Sequence, residues 1–139
     1  MELEGCKLTL KFLTSVGISI KTFITDRHRG IAKWFSTAYP KINHYFDLWH
    51  VARTITKALL KASKENGCSV IKDWMSSIRN HLYWCATSTA EGFGDLIAAK
   101  WMSITRHIAN KHDKHPDKLF QKCTHEQLDK SHWIKNGNI

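Results

Sequence analysis

The sequence predicts an α/β fold in which one parallel β-α-β unit is followed by an all-helical segment, and three observations carry that prediction. Residues 18–25 are β-branched and aromatic with no internal Gly or Pro, and residues 42–46 alternate apolar with polar. Between them Ile31, Trp34, Phe35 and Ala38 recur at helical spacing until Tyr39-Pro40 breaks the pattern. Strands joined by a helix of that length pair in parallel through a right-handed crossover. Past Gly67 nothing reads as a strand, which gives an expected α/β part over 1–66 and a helical part over 67–139.

Residues 2–15 open the chain as a helix, with Leu3, Cys6, Leu10, Leu13 and Val16 near one face and Glu4, Lys7 and Lys11 along an exposed one. Glu2 and Glu4 read as surface residues, and Gly17 ends the helix. The first strand then stops at Asp26-Arg27-His28 and the second at Asp47-Leu48-Trp49-His50. Strands running the same way carry Asp26 and Asp47 to one rim, the edge where open α/β sheets hold ligands. Asp-x-His and Asp-x-x-His at that rim are the residue chemistry of a hard-cation or phosphoryl-transfer site. Carboxylates bind magnesium or manganese, and His28 and His50 would orient them or contact phosphate. Asp is also a favoured N-cap, so the alternative is that both acids merely start the helices that follow them.

Residues 48–64 continue as a helix with Val51, Ile55, Ala58, Leu59 and Ala62 on one side, closed by Asn66-Gly67. Arg53, Lys57, Lys61 and Lys64 follow one another at intervals of four, four and three, a ridge that either tracks DNA phosphates or is simply a solvated face. Val70, Ile71, Trp74, Met75, Ile78, Leu82 and Cys85 mark the next helix. Thr87-Ser88-Thr89 reads as the N-cap run of another, carried by Phe93, Leu96, Ile97, Trp101, Ile104 and Ile108. The Met and Trp residues here are core candidates rather than cofactor contacts.

The last third is rich in histidine. His107-x4-His112 followed by Cys123-x-His125 supplies four ligands of the kind zinc prefers, and His81 and Cys85, one helical turn apart, are substitutes for one of them. Hydrogen-bonded or exposed neutral histidines are the alternative. A short helix over 126–133 and a frayed end at 135–138 complete the chain.

With 139 residues there is room for a real core, and 21 Lys and Arg against 12 acids leave a net charge of +9, suited to a polyanionic partner. No apolar run is long enough to span a membrane, and the Glu-rich start is not a signal peptide. Four scattered cysteines, Cys6, Cys68, Cys85 and Cys123, point to a reducing compartment rather than to a disulfide scaffold.

Ile24-Thr25-Asp26-Arg27-His28, then Tyr39-Pro40, then His44-Tyr45-Phe46-Asp47-Leu48-Trp49-His50 resembles the middle of the ribonuclease-H-like catalytic core of eukaryotic DDE/D cut-and-paste transposases. The resemblance implies that Asp26 is the second acid of the catalytic triad and that Asp47 and His50 are the accessory motif beside it. It also implies Mg2+- or Mn2+-dependent phosphoryl transfer on DNA in the nucleus, and an all-helical insertion ahead of a third acid. No strand-borne Asp precedes Asp26. The first and third acids are therefore expected outside this sequence, with a second copy or a further chain segment completing the sheet, and a chain holding one of three acids is expected to be inactive alone. Two other functions remain open: a non-enzymatic, zinc-stabilised helical module that binds nucleic acid or a nuclear partner, and a small phosphoesterase complete in Asp26, His28, Asp47 and His50.

Overall fold

The computed structural model describes residues 1–90, 92–126, 128, 133 and 134. Its elements are α1 (Glu2–Ser15), β1 (Thr22–Thr25), α2 (Arg29–Ala38), β2 (Asn43–Phe46), α3 (Leu48–Ala62), α4 (Ile71–Thr87), α5 (Gly94–Met102) and α6 (Ile104–His107). The fold is mixed α/β, mostly helical, with a two-stranded parallel sheet. Among the described residues no helix is long and apolar enough to cross a membrane. The chain divides into two compact units, Met1–Val51 and Ala52–Ile139. The expected boundary at 66/67 falls inside the second unit, because Leu59 of α3 packs with the apolar cluster of that unit.

In the first unit β1 and β2 pair with Thr22 opposite Asn43 and Thr25 opposite Phe46. The first strand is shorter than the 18–25 expected. Its pairing begins where Lys21 O accepts from Asn43 N–H at 3.0 Å, since the Pro40 turn leaves no earlier partner segment. α2 covers one sheet face: Phe35 is 1% exposed and its ring stacks on Phe23 with centroids 5.0 Å apart. The opposite face carries Ile24 and Tyr45, both exposed. α1 ends in a Schellman turn, Gly17 at φ +84° with Ile18 N–H bonded to Leu13 O, so the glycine reading holds there.

The second unit is built on Trp74, Ile78, Ile104 and Ile134, with Leu59, Val70, Trp101, Ile108 and Trp133 packed around them. Two expectations change here. Thr87-Ser88-Thr89 does not start a helix. It ends α4, and the three hydroxyls donate back to Tyr83, Trp84 and Cys85 carbonyls. That end is held by Lys100, only 8% exposed, whose Nζ donates at 2.9 Å to Ser88 O, Ser88 Oγ and Thr89 Oγ1. The helix expected through Ile108 breaks at Ser103, because the Lys100 carbonyl is also claimed by Ser103 Oγ at 2.7 Å and by the His81 ring at 2.8 Å. The helix expected over 126–133 and the end at 135–138 rest on residues outside those described.

Candidate metal centres

The first cluster stands on the rim of the parallel sheet. Asp26 follows β1 and Asp47 follows β2, and with His50 they bring ligand atoms within 4.8 Å of one another. His50 Nδ1 lies 3.0 Å from Asp26 Oδ1 and 3.0 Å from Asp47 Oδ2, so one imidazole bridges two carboxylates that would otherwise repel. Asp47 does two jobs. Its Oδ1 accepts the Trp49 N–H at 2.9 Å, which caps α3, and that backbone bond together with His50 holds its carboxyl below the usual range. Asp26 caps nothing. The N-cap of α2 is His28, whose Nδ1 accepts the Ile31 N–H at 3.1 Å.

His28 therefore leaves the rim. Its Nε2 faces Glu2 at 3.3 Å, and its ring lies so close over Gly30 that a Cβ there would meet His28 Cε1 at 3.0 Å. The expected four-residue set thus reduces to Asp26, Asp47 and His50. Arg53, Lys57, Lys61 and Lys64 are exposed as expected of a ridge, and they belong to the second unit.

The second cluster lies wholly in the second unit. His107, His112, Cys123 and His125, the four ligands expected from spacing, also bring ligand atoms within 4.8 Å of one another and can hold a metal such as zinc. Local structure explains the convergence. Asn110 at φ +58° turns the chain after α6, with Lys111 N–H bonded back to Arg106 O. Two backbone bonds, His115 N–H to Gln121 O and Cys123 N–H to His112 O, then fold the loop around Pro116 so that Cys123 returns beside the histidines. His107 Nδ1 is 3.5 Å from Cys123 Sγ and 3.4 Å from His125 Nε2.

Burial, and after it the neighbouring imidazoles of His112, His125, His81 and His115, push the His107 pKa down to about 4, so the ring is a neutral donor at neutral pH. Burial pushes the Cys123 thiol up. The two substitutes are engaged elsewhere: His81 Nε2 bonds the Lys100 carbonyl, and Cys85 is fully buried with its pKa raised to about 11. Two residues escaped the sequence reading. His115 sets Nε2 3.6 Å from Cys123 Sγ while Nδ1 donates to Phe120 O, and Asn110 Oδ1 accepts from His112 Nε2 at 2.9 Å. An Asn two residues before a ligand histidine, at a helix end, was the available signal for the second. A cavity of about 620 Å³ adjoins the cluster, with Trp74, Trp84 and Phe120 among its walls.

No family model matches the chain, and neither curated proteins nor solved structures show significant similarity to it.

Proposed function

We propose that the chain is part of a transposon-derived, ribonuclease-H-like DNA transposase catalytic domain, acting on DNA in the nucleus and not competent for strand cleavage by itself. The observation that carries this reading is the parallel pairing that sets Asp26, Asp47 and His50 on one rim with ligand atoms within 4.8 Å. The oxygen-rich donor set fits a hard cation. When bound, Mg2+ or Mn2+ would polarise a phosphodiester and lower the pKa of an attacking water. Asp26, exposed and free of capping duty, would hold the cation. Asp47, fixed by the Trp49 N–H, and His50, bonded to both acids, would keep that carboxylate aimed.

Two further features agree. Parallel sheets bury both faces, whereas Ile24 is exposed on one face of this sheet, as expected where a second copy or a further chain segment covers it. The net charge of +9 suits a polyanion. The test is Mn2+ titration followed by electron paramagnetic resonance, beside an assay on supercoiled DNA. The expected result is binding by the wild type that is lost in Asp26→Asn, without nicking in Mg2+ or Mn2+. Binding that survives both Asp26→Asn and Asp47→Asn would overturn the site. Robust nicking abolished by Asp26→Ala would overturn the lack of independent activity and favour a self-contained phosphoesterase. A second reading, a non-enzymatic helical module binding nucleic acid or a nuclear partner, is favoured by the His/Cys cluster alone, and manganese binding at Asp26 separates the two.

A further inference from the structure

We propose that His107, His112, Cys123 and His125 bind a structural zinc ion that ties the loop after α6 to the apolar core of the second unit. The inference uses residues of that unit only, so it stands or falls separately from the phosphoryl-transfer reading.

Distances come first. Zinc bonds of about 2.0–2.1 Å to imidazole nitrogen and about 2.3 Å to thiolate give tetrahedral edges of roughly 3.3–3.4 Å between nitrogens and roughly 3.5–3.6 Å between nitrogen and sulfur. His107 Nδ1 to His125 Nε2 is 3.4 Å, and His107 Nδ1 to Cys123 Sγ is 3.5 Å. Those edges already match a tetrahedron around one cation.

The hydrogen bonds on the far side of two rings then decide which nitrogen is offered. Asn110 Oδ1 can only accept, so His112 Nε2 carries the proton and Nδ1 presents its lone pair. That Nδ1 is buried with no hydrogen-bond partner, an orphan that a cation would satisfy. The Glu126 carbonyl likewise accepts a hydrogen bond from His125 Nδ1–H, leaving the Nε2 lone pair for the metal. Two imidazole lone pairs and a sulfur thus converge within 4.8 Å of one another, and a cation among them would satisfy the orphaned His112 Nδ1.

Three imidazoles and one thiolate suit zinc rather than magnesium or calcium, and four protein ligands close the tetrahedron to water and substrate, which makes the site structural. On binding, the Cys123 S–H bond breaks, sulfur donates its electron pair to the metal, and the proton leaves to solvent. The ion would anchor the segment bearing Trp133, whose ring stands 5.2 Å from His112 and 5.9 Å from Trp74. His115 approaches the same sulfur at 3.6 Å but lies outside the set of four and is not assigned as a ligand.

The test is metal analysis and cobalt substitution on the full chain. One zinc per chain is expected, and Co2+ should give the intense visible bands of a tetrahedral site with a thiolate charge-transfer band. Asn110→Ala should weaken zinc binding about 10–100-fold by releasing the His112 ring, and His115→Gln should leave stoichiometry and spectrum intact. A wild-type chain that retains no zinc and shows only weak octahedral cobalt bands overturns the proposal, a measurement that needs no variant to fold. A charge-transfer band that persists in Cys123→Ala, or that is lost in His115→Gln while surviving in His112→Gln, overturns the ligand assignment.

Discussion

His81 illustrates how much one side chain settles in the second unit. Its Nε2–H donates to the Lys100 carbonyl at 2.8 Å, which helps stop α5, and its ring lines the cavity beside the His/Cys cluster. Burial lowers its pKa below the usual 6.5, outweighing the carbonyl that favours the charged ring. Below pH 6.5 the unfolded chain takes up a proton that the folded chain refuses. His81 therefore contributes stability that is present above 6.5 and is lost as pH falls from there through the lowered folded value. Urea melts between pH 7 and pH 5 in chelator should show wild type losing stability more steeply than His81→Gln. Parallel curves would mean that the ring stays exposed to solvent. Lys100 is the complementary case, a buried ammonium that is satisfied by three oxygen acceptors and lies 5.0 Å over the Trp84 ring.

At the scale of elements, the two strand ends share a residue type but not a role. Each strand runs into an Asp, yet α2 is capped by His28 and α3 by Asp47. The difference follows from spacing: Asp26 stands three residues before the first residue of α2, whereas Asp47 immediately precedes Leu48. Asp47→Ala should lower the melting temperature by removing the cap, while Asp47→Asn, which keeps an acceptor oxygen for the Trp49 N–H, should lower it much less. Thermal melts of the two variants check this. Equal losses would assign the effect to charge beside His50 rather than to capping. Helix ends were the least legible feature of the sequence for the same reason. Thr87-Ser88-Thr89 has the composition of an N-cap, and only the approach of Lys100 from α5 makes it a C-terminal anchor.

For the molecule as a whole the decisive quantity is charge. If the chain binds DNA as proposed, its excess of nine cations predicts that the logarithm of the binding constant falls linearly with the logarithm of salt concentration. If the ridge on α3 touches phosphates, replacing Lys57 and Lys61 together by Ala should lower the slope by about 2 without changing sequence preference. Fluorescence anisotropy over a salt series reads this directly, and an unchanged slope would make the ridge a solvated face. Zinc removal belongs to the same scale. If the proposed ion is bound, its binding free energy adds to the folding of the second unit, and a chelator should lower the melting temperature of that unit.

The sequence alone determined the β-α-β order, the parallel pairing, the rim shared by Asp26 and Asp47, and the four members of the His/Cys cluster. Hydrophobic period, strand direction and ligand spacing are all properties of the local chain. Only the tertiary structure decided that His28 turns away to cap α2, that Ser103 and His81 interrupt the last long helix, and that Asn110 and His115 stand behind the cluster. Each of those outcomes depends on which carbonyl or ring lies within about 3 Å once the chain is packed, a matter of hydrogen-bond competition between residues distant in sequence.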